Sequence, residues 1–324
     1  MKTIEHLVPN GDGWLISLFQ TWDEDRVVPG RKPVLIVPGY GMNSFIFSYH
    51  PRGLSLEGYL AEAGFEVWRV DLRGQGASRS IGGGESYGLE DLALTDLSVA
   101  IRAALERSRT GASRADIIGA SLGGTIMFAH AVLERGTPIG SLVAIGSPVR
   151  WVDVHPAIKI AFAWPTLVGL VRFKGTRKLA GLALPQLAKR TPWLLSIYMN
   201  AEITDTSAAA EMVKTVEDPN RHINRQIARW IGNKDLVLRG VNISDGLGFL
   251  KHPLLCVSAL GDGIVPRRTA EYPYLAAGSS DKRLIEVGGA DLAVAHADLF
   301  ISNEAHARVF APLSRWLSER SGAP

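Results

Sequence analysis

A single serine separates two contrasting patterns in Asp116-Ile117-Ile118-Gly119-Ala120-Ser121-Leu122-Gly123. The apolar run before it is typical of a buried β-strand, and the apolar residues after it recur at helical spacing as far as Arg135. The chain must therefore turn sharply at Ser121. Gly119 and Gly123 leave room for strand and helix to pack where side chains would collide. The pattern predicts a nucleophilic serine at a helix N-terminus, which favours developing negative charge.

The G-x-S-x-G pattern is weak evidence by itself. With 34 glycines among 324 residues, roughly 0.25 matches are expected by chance, and a second copy does occur at Gly84-Glu85-Ser86-Tyr87-Gly88. More glycines precede this copy and an acidic helix start follows it, so we predict that Ser86 lies in a loop. The strand before Ser121 and the helix after it make Ser121 the candidate nucleophile.

Short β-rich runs alternate with helical patterns along most of the chain. This alternation predicts an α/β fold, with a mostly parallel sheet covered by helices on both faces. The predicted strands of the sheet are residues 33–38, 66–72, 116–120, 142–146, 253–260 and 283–287, with an antiparallel strand at 14–22. The predicted helices are residues 54–63, 89–109, 122–135 and 303–320.

The alternation stops between residues 149 and 249, where helix-like segments, prolines and aromatic residues replace the strand-helix units. We therefore predict a core domain of residues 1–148 and 250–324, interrupted by a mainly helical cap of residues 149–249. The aromatic residues of the cap are expected to form its own core, with an apolar substrate tunnel as the alternative. These residues are Trp151, Phe162, Trp164, Phe173, Trp193, Tyr198 and Trp230.

One part of the cap, residues 158–173, is strongly apolar and has Lys159, Arg172 and Lys174 at its edges. Such a segment fits peripheral contact with a membrane or another lipid surface, while a buried cap helix is the simpler interpretation.

Composition excludes several classes of protein. A net charge of +3 with interspersed signs lacks the basic clustering that nucleic-acid binding needs, so we expect no nucleic-acid partner. Cys256 is the only cysteine and stands in an apolar run, which predicts a buried structural thiol. Residues 1–12 lack the apolar part of a secretory signal, and no run reaches the roughly 18 apolar residues of a membrane-spanning helix. We therefore expect a cytoplasmic protein.

A serine nucleophile needs a base to accept its proton and a carboxylate to orient that base. In this fold the chain order is serine, acid, histidine. Asp262 follows a late strand and is the candidate acid, with an ordinary Asp-Gly turn as its alternative interpretation. Asp153, which follows an earlier strand, is the reserve candidate.

Position along the chain selects His296 as the candidate base, because it alone follows the final strand without lying in the last helix. A structural or solvent-exposed histidine is the alternative. Asp298 is expected to cap the following turn or support the loop. The histidines set aside are His6, His50, His130, His155, His222, His252 and His306.

Two backbone N–H groups are expected to form an oxyanion hole. Leu122, directly after the nucleophile, supplies the first. The glycine-containing loop of residues 37–43 supplies the second, with Tyr40 as the expected donor, unless this loop is only a glycine turn.

Together with Asp71-Leu72-Arg73-Gly74-Gln75-Gly76-Ala77-Ser78, these motifs resemble the α/β-hydrolase superfamily across nearly the whole chain. Residues 55–68 and 296–301 are more narrowly similar to acid lipases. The resemblance implies catalytic roles for Ser121, Asp262 and His296 and a lipid-like ester substrate. Ala120 and Pro38 stand where lipases often have histidines. The chain also looks distantly like polyhydroxyalkanoate synthases, which have a cysteine at the position of the serine.

We therefore expect a serine hydrolase of the lipase and carboxylesterase kind, working through a Ser-His-Asp triad and an acyl-enzyme, with no metal or organic cofactor. The expected partner is a small-molecule or lipid-like ester. The same triad would serve an acyltransferase, thioesterase or lactonase, and a non-catalytic binding protein is the alternative from a different class.

Overall fold

A computed structural model describes residues 1–168, 170 and 174–321. The strands in chain order are β1 (Lys2–Pro9), β2 (Trp14–Trp22), β3 (Val34–Val37), β4 (Val67–Asp71), β5 (Arg79–Ser80), β6 (Ala115–Ala120), β7 (Ile139–Ile145), β8 (Val237–Leu238), β9 (Val241–Asn242), β10 (Leu254–Ala259) and β11 (Lys282–Val287). All but β8 and β9 belong to one sheet, so this sheet organises the molecule.

The helices lie between the strands and in the segment that joins β7 to β10. The α-helices are α1 (Leu56–Glu62), α2 (Leu89–Asp91), α3 (Leu97–Arg107), α4 (Leu122–Leu133), α5 (Pro156–Ala161), α6 (Pro165–Val168), α7 (Thr176–Arg190), α8 (Ala209–Met212), α9 (Arg221–Asn233), α10 (Ile243–Gly246), α11 (Arg267–Ala276), α12 (Asp298–Ile301) and α13 (Ala311–Ser318). Short 3-10 helices cover Ser44–Phe47, Pro192–Leu195, Val213–Thr215 and Leu247–Phe249, and π-helical turns cover Leu92–Asp96 and His306–Phe310.

The strand order across the main sheet is β1-β2-β4-β3-β6-β7-β10-β11, with β5 paired to β2. From β4 to β11 the neighbours in this order pair in parallel, while β2 pairs antiparallel with both β1 and β4. The predicted α/β fold is therefore confirmed, as is the antiparallel strand at residues 14–22.

Each face of the sheet has its own apolar core because side chains alternate along every strand. In β3, Leu35 and Val37 pack with α3 and α4 on one face, while Val34 and Ile36 pack with α1 and α13 on the other. All four side chains are fully buried. A strand buried on both faces has no polar alternation, which explains the continuous apolar run in its sequence.

The structure differs from the sequence prediction at several places, among them three that bear on the architecture. Strand β1 was not predicted, because nearly all its residues are exposed at the edge of the sheet and give little buried pattern. The single helix predicted at residues 89–109 is divided by the π-helical turn Leu92–Asp96. The predicted cap contains the small antiparallel pair β8–β9 in addition to helices.

The helical insertion between β7 and β10 extends through roughly residues 156–233. The division into a core of residues 1–148 and 250–324 and a cap of residues 149–249 stays a prediction, and we use the word cap for that range. Helix α9 packs one face inward, with Ile223, Ile227 and Trp230 buried, and begins where Asn220 accepts N–H groups of its first turn. None of the described helices is long and apolar enough to cross a membrane.

Candidate active site

Ser121 lies at the turn from β6 to α4, with φ 52° and ψ −123°. A positive φ is strained for a residue with a side chain and is found most often at functional sites. The Ser121 N–H donates to the Ile145 carbonyl of β7 at 2.8 Å, which fixes the turn against the sheet. Its hydroxyl does not cap α4, although serine is a favoured capping residue. The hydroxyl is therefore available for chemistry.

The glycines on either side of Ser121 allow this turn to form. A Cβ atom on Gly119 would overlap the backbone of Gly124 in α4, and one on Gly123 would overlap the Val37 carbonyl at the end of β3. Strand and helix thus approach so closely that no side chain fits between them. This is the close packing that the sequence predicted.

Asp262 and His296 are in direct contact, with 2.6 Å between His296 Nδ1 and Asp262 Oδ2. Asp262 follows β10, and its other oxygen accepts the N–H groups of Ile264 and Val265, each at 2.8 Å. Both side chains are buried. The carboxylate is held in place by its own loop and in turn holds one nitrogen of the histidine ring, leaving the other free to exchange a proton.

Asp298 fixes the loop that carries His296. Its carboxylate is fully buried and accepts the Ala295 N–H at 2.8 Å, together with the Asn200 N–H and the Thr204 hydroxyl from the cap. Burial raises the pKa of Asp298 despite these donors. Asp298 thus supports the loop, as the sequence suggested, and also ties it to the cap.

Ser121 and His296 both lie against the end of β7. Ser121 bonds to Ile145, and a Cβ on the next residue, Gly146, would stand 3.1 Å from His296 Cε1. Among the described residues, no hydrogen bond joins the Ser121 hydroxyl to His296. In unliganded active sites such bonds are often long and tighten only when substrate binds.

Leu122 and Tyr40 flank Ser121. Leu122 is the first residue of α4, so its N–H has no acceptor within the helix. Tyr40 follows β3, and its hydroxyl donates to Asn224 Oδ1 of α9 at 2.7 Å. Burial raises the pKa of Tyr40 well above its usual range, so the phenol remains protonated.

An apolar cavity of about 180 Å³ opens beside Ser121. Its walls come from the core and from the cap, and Trp151 and Trp230 pack edge to face there with ring centres 5.5 Å apart. The lining residues are Tyr40, Ser121, Leu122, Pro148, Trp151, Ile158, Phe162, Ile227, Trp230, Ile231, Ile264 and Val265. The described lining contains no charged side chain, so the cavity suits a hydrocarbon chain.

The aromatic residues of the cap have different environments. Trp151, Phe162 and Trp230 line the cavity, as in the tunnel alternative, while Trp151 and Trp230 are also buried in the apolar core, as in the first interpretation. Tyr198 lies with its ring centre 6.4 Å from that of His296. Trp164 and Trp193 are mostly exposed, which neither interpretation predicted. Phe173 lies outside the described residues.

The reserve candidate and the second serine have other neighbours. The Asp153 carboxylate faces Arg268 at 3.3 Å. Ser86 is exposed, and its hydroxyl lies 2.9 Å from His222 Nε2. Arg221 Nε approaches that same nitrogen at 3.3 Å, and no carboxylate among the described residues bonds to His222. The Ser86–His222 pair therefore lacks a carboxylate equivalent to Asp262, which orients His296.

Three cap residues that contact the site were missed from sequence. Asn224 holds Tyr40, while Asn200 and Thr204 hold Asp298. The one available signal was the composition of α9, where Asn224 interrupts an otherwise apolar buried face. A polar residue on such a face needs a buried partner.

A family model described as serine aminopeptidase, S33, matches residues 30–290, which is most of the chain. The chain therefore belongs to this family of serine hydrolases within the α/β-hydrolase superfamily, as the sequence motifs suggested. No match is found among curated proteins.

Solved structures of α/β-hydrolases share the fold at low sequence identity. A soluble variant of monoglyceride lipase from Saccharomyces cerevisiae, in complex with a substrate analogue, has a TM-score of 0.65 at 19% identity over 100% of this chain and 97% of that one. A meta-cleavage product hydrolase from Pseudomonas fluorescens has a TM-score of 0.64 at 16% identity, with 98% of each chain covered. An esterase from Exiguobacterium antarcticum has a TM-score of 0.61 at 17% identity over 98% and 100%.

Proposed function

We propose that this protein hydrolyses carboxylic esters with apolar acyl groups, using Ser121 as nucleophile, His296 as general base and acid, and Asp262 to orient His296. The observation that carries the proposal is the buried His296–Asp262 hydrogen bond of 2.6 Å, which lies at the carboxyl ends of the parallel strands, where the strained Ser121 borders an apolar cavity. A base oriented by a carboxylate and a cavity for the acyl chain thus lie beside the same serine.

The reaction proceeds in two acyl-transfer steps. In the first, His296 Nε2 takes the Ser121 proton as Oγ attacks the ester carbonyl, while Nδ1–H donates to Asp262. The resulting oxyanion accepts the backbone N–H groups of Leu122 and Tyr40. Collapse breaks the ester C–O bond, and the leaving alcohol takes the proton from Nε2. Water then repeats the sequence on the acyl-enzyme, with His296 as base, and releases the acid.

The cavity favours an ester over an amino-terminal peptide. An aminopeptidase must bind the ammonium group of its substrate, which requires a carboxylate near the reacting carbonyl. The described lining of this cavity has none, and Glu217 and Asp218 line a different pocket, which shares Tyr40 and Leu122 with this one. We therefore expect p-nitrophenyl esters to be cleaved and amino-acid p-nitroanilides to remain intact.

Two neighbours in structure support a lipid-like ester as substrate. The yeast monoglyceride lipase is described in complex with a substrate analogue, and the bacterial protein from Exiguobacterium antarcticum is described as an esterase. The same acyl-enzyme would serve a thioesterase, a lactonase or an acyltransferase. Water is the acceptor that needs no further binding site, so hydrolysis is the activity we propose.

A fluorophosphonate probe and a series of p-nitrophenyl esters test the proposal. The wild-type protein should be labelled at Ser121 and should release p-nitrophenol, and Ser121→Ala should lose both properties. Ser86→Ala is the matched control and should behave as the wild type, because Ser86 lies in the exposed loop. Full activity in folded Ser121→Ala, or loss of activity in Ser86→Ala alone, would contradict the proposal.

A further inference from the structure

The cap contains a long segment without acidic residues. Between Val154 and Ala201 the sequence has no aspartate or glutamate but has seven lysines and arginines, although the whole chain has 32 acidic residues and a net charge of only +3. The positive charge of the protein is therefore concentrated here. The basic residues are Lys159, Arg172, Lys174, Arg177, Lys178, Lys189 and Arg190.

Large apolar side chains are exposed in the same segment. Each of the following is at least 57% exposed: Ile160, Trp164, Leu167, Leu170, Leu179, Leu182 and Trp193. They make up about half of the large apolar residues that the described structure leaves exposed. We call these residues, with Lys159, Lys174, Lys178, Lys189 and Arg190, the basic apolar face. Large apolar side chains exposed in such number within one segment of the chain indicate a surface that binds a partner.

Helix α7 has two different apolar sides. Leu184 packs against the core, and Gly181 points toward Val213. Leu179 and Leu182 are exposed instead, and helical spacing puts Lys178 and Lys189 on their side of the helix. The exposed leucines thus do not belong to the side of α7 that packs against the core. They form a separate outward surface bordered by positive charge.

Helix α5 connects the basic apolar face to the active site. Ile158 and Phe162 line the cavity beside Ser121, one helical turn apart. Lys159 and Ile160, between them in sequence, are exposed. The same short helix therefore covers the cavity with one side and belongs to the basic apolar face with the other.

We infer that the basic apolar face docks on the surface of an anionic lipid bilayer. Leucine and tryptophan side chains bury readily at the boundary between headgroups and acyl chains, and lysines beside them bind anionic headgroups. A second copy of the chain is a poorer occupant, because the segment itself contains no acidic residue and the neighbouring Glu217 already pairs with Arg177, so apposing two such faces would bring mainly like charges together. The inference builds on the proposed function by naming the partner from which a lipid-like ester would be taken.

Vesicle flotation tests the inference. We expect the wild-type protein to float with vesicles of phosphatidylcholine containing about one-third phosphatidylglycerol, and to bind vesicles of phosphatidylcholine alone about tenfold more weakly. Raising the salt concentration should weaken binding to the anionic vesicles. Absence of binding to both kinds of vesicle would overturn the inference.

Two double variants separate the apolar and the charged contributions. Leu179→Ser with Leu182→Ser, and Lys178→Glu with Lys189→Glu, should each reduce binding to the anionic vesicles by about tenfold or more. The matched controls are Leu275→Ser and Arg102→Glu, which change exposed residues of α11 and α3 and should leave binding unaltered. Equal binding by the variants and their controls would overturn the inference.

Two further measurements separate this inference from the proposed function. All four variants should hydrolyse a water-soluble p-nitrophenyl ester at the wild-type rate, and Ser121→Ala should still bind vesicles. Failure of hydrolysis with intact vesicle binding would count against the proposed function alone. Light scattering of the wild type and of the leucine variant measures whether the protein forms a dimer. If the wild type is a dimer that binds no vesicle, and if Leu179→Ser with Leu182→Ser dissociates it, the face serves self-association and the inference is overturned.

Discussion

The hydroxyl of Tyr40 donates to Asn224 Oδ1 at 2.7 Å, which joins the loop after β3 to a helix of the cap. Asn224 is fully buried, so water does not substitute for this bond. The residue whose backbone N–H we propose as an oxyanion donor is thus held from the side by the cap. Tyr40 also forms part of the cavity wall.

Replacing Tyr40 with phenylalanine should cost stability more than catalysis. Tyr40→Phe leaves the Asn224 oxygen buried without this donor, a loss of about 1–3 kcal/mol in the free energy of unfolding. Because the backbone N–H is retained, kcat should fall less than about tenfold, in contrast to the 10² to 10³ typical of a lost oxyanion donor. Urea unfolding and ester hydrolysis measure the two effects.

Tyr49→Phe is the control for that experiment. The Tyr49 hydroxyl is buried and has no hydrogen-bond partner among the described residues, so its removal should cost no hydrogen bond. A loss of stability in Tyr40→Phe that is no larger than in Tyr49→Phe would show that the Asn224 bond does not stabilise the fold.

Asp262→Asn should reduce kcat by about 10³ to 10⁴ while leaving the fold intact, because an amide keeps the shape but neither stabilises the histidine cation nor selects its tautomer. Asp153→Asn is the matched control, since the Asp153 carboxylate faces Arg268 at the surface. Hydrolysis of a p-nitrophenyl ester measures both. Loss of activity in Asp153→Asn with little change in Asp262→Asn would reverse the assignment of the acid.

The buried His130 of α4 should make the protein less stable in mild acid. Burial lowers the pKa of His130 from its ordinary 6.5, an effect that outweighs the nearby Glu134. In mild acid, His130 therefore binds a proton more readily in the unfolded chain than in the folded protein. The contribution of His130 is therefore fully present above pH 6.5 and is lost as the pH falls below it, by at most about 1.4 kcal/mol per pH unit.

Urea unfolding of the wild type and of His130→Gln between pH 7.5 and pH 5.5 tests this contribution. The variant should be less stable at pH 7.5, because the ring contacts with Ala93 and Thr137 are changed. Its stability should also decline less on acidification. The same decline in both proteins would mean that His130 makes no contribution to the acid sensitivity.

The volume of the cavity should determine the preferred acyl chain. Ile227 of α9 lines the cavity, and Ile227→Trp would occupy space that the substrate needs. We expect the optimum among p-nitrophenyl esters to move to shorter acyl chains, with activity on the acetate ester largely retained. Leu275→Trp, at an exposed site on α11, should leave the chain-length profile unchanged. A profile that stays the same in Ile227→Trp would place the acyl chain elsewhere.

Sequence predicted the parts of the fold that depend on local patterns. Strand β3 was predictable because burial on both faces requires a continuous apolar run, whereas β1 lies exposed at the edge and gives no such run. The turn at Ser121 was predictable because a strand, a small-residue turn and a helix follow one another directly in the chain.

Contacts between distant residues were beyond reach of the sequence. Tyr40 and Asn224 are 184 positions apart, and no local pattern relates them. The proximity of Asp262 to His296 was expected from chain order, but the bonds of Asp298 to the cap were not. Contacts between the insertion and the rest of the chain depend on how the two segments pack against each other, and this packing leaves no periodic pattern in the sequence.

The bonds of Asp298 have a consequence for protein engineering. Its carboxylate takes donors from Asn200 and Thr204 as well as from the loop of His296. Exchanging the insertion for one from another hydrolase would leave a buried carboxylate short of donors two residues from His296. The insertion therefore cannot be exchanged on its own, and a grafted insertion would need its own equivalents of Asn200 and Thr204.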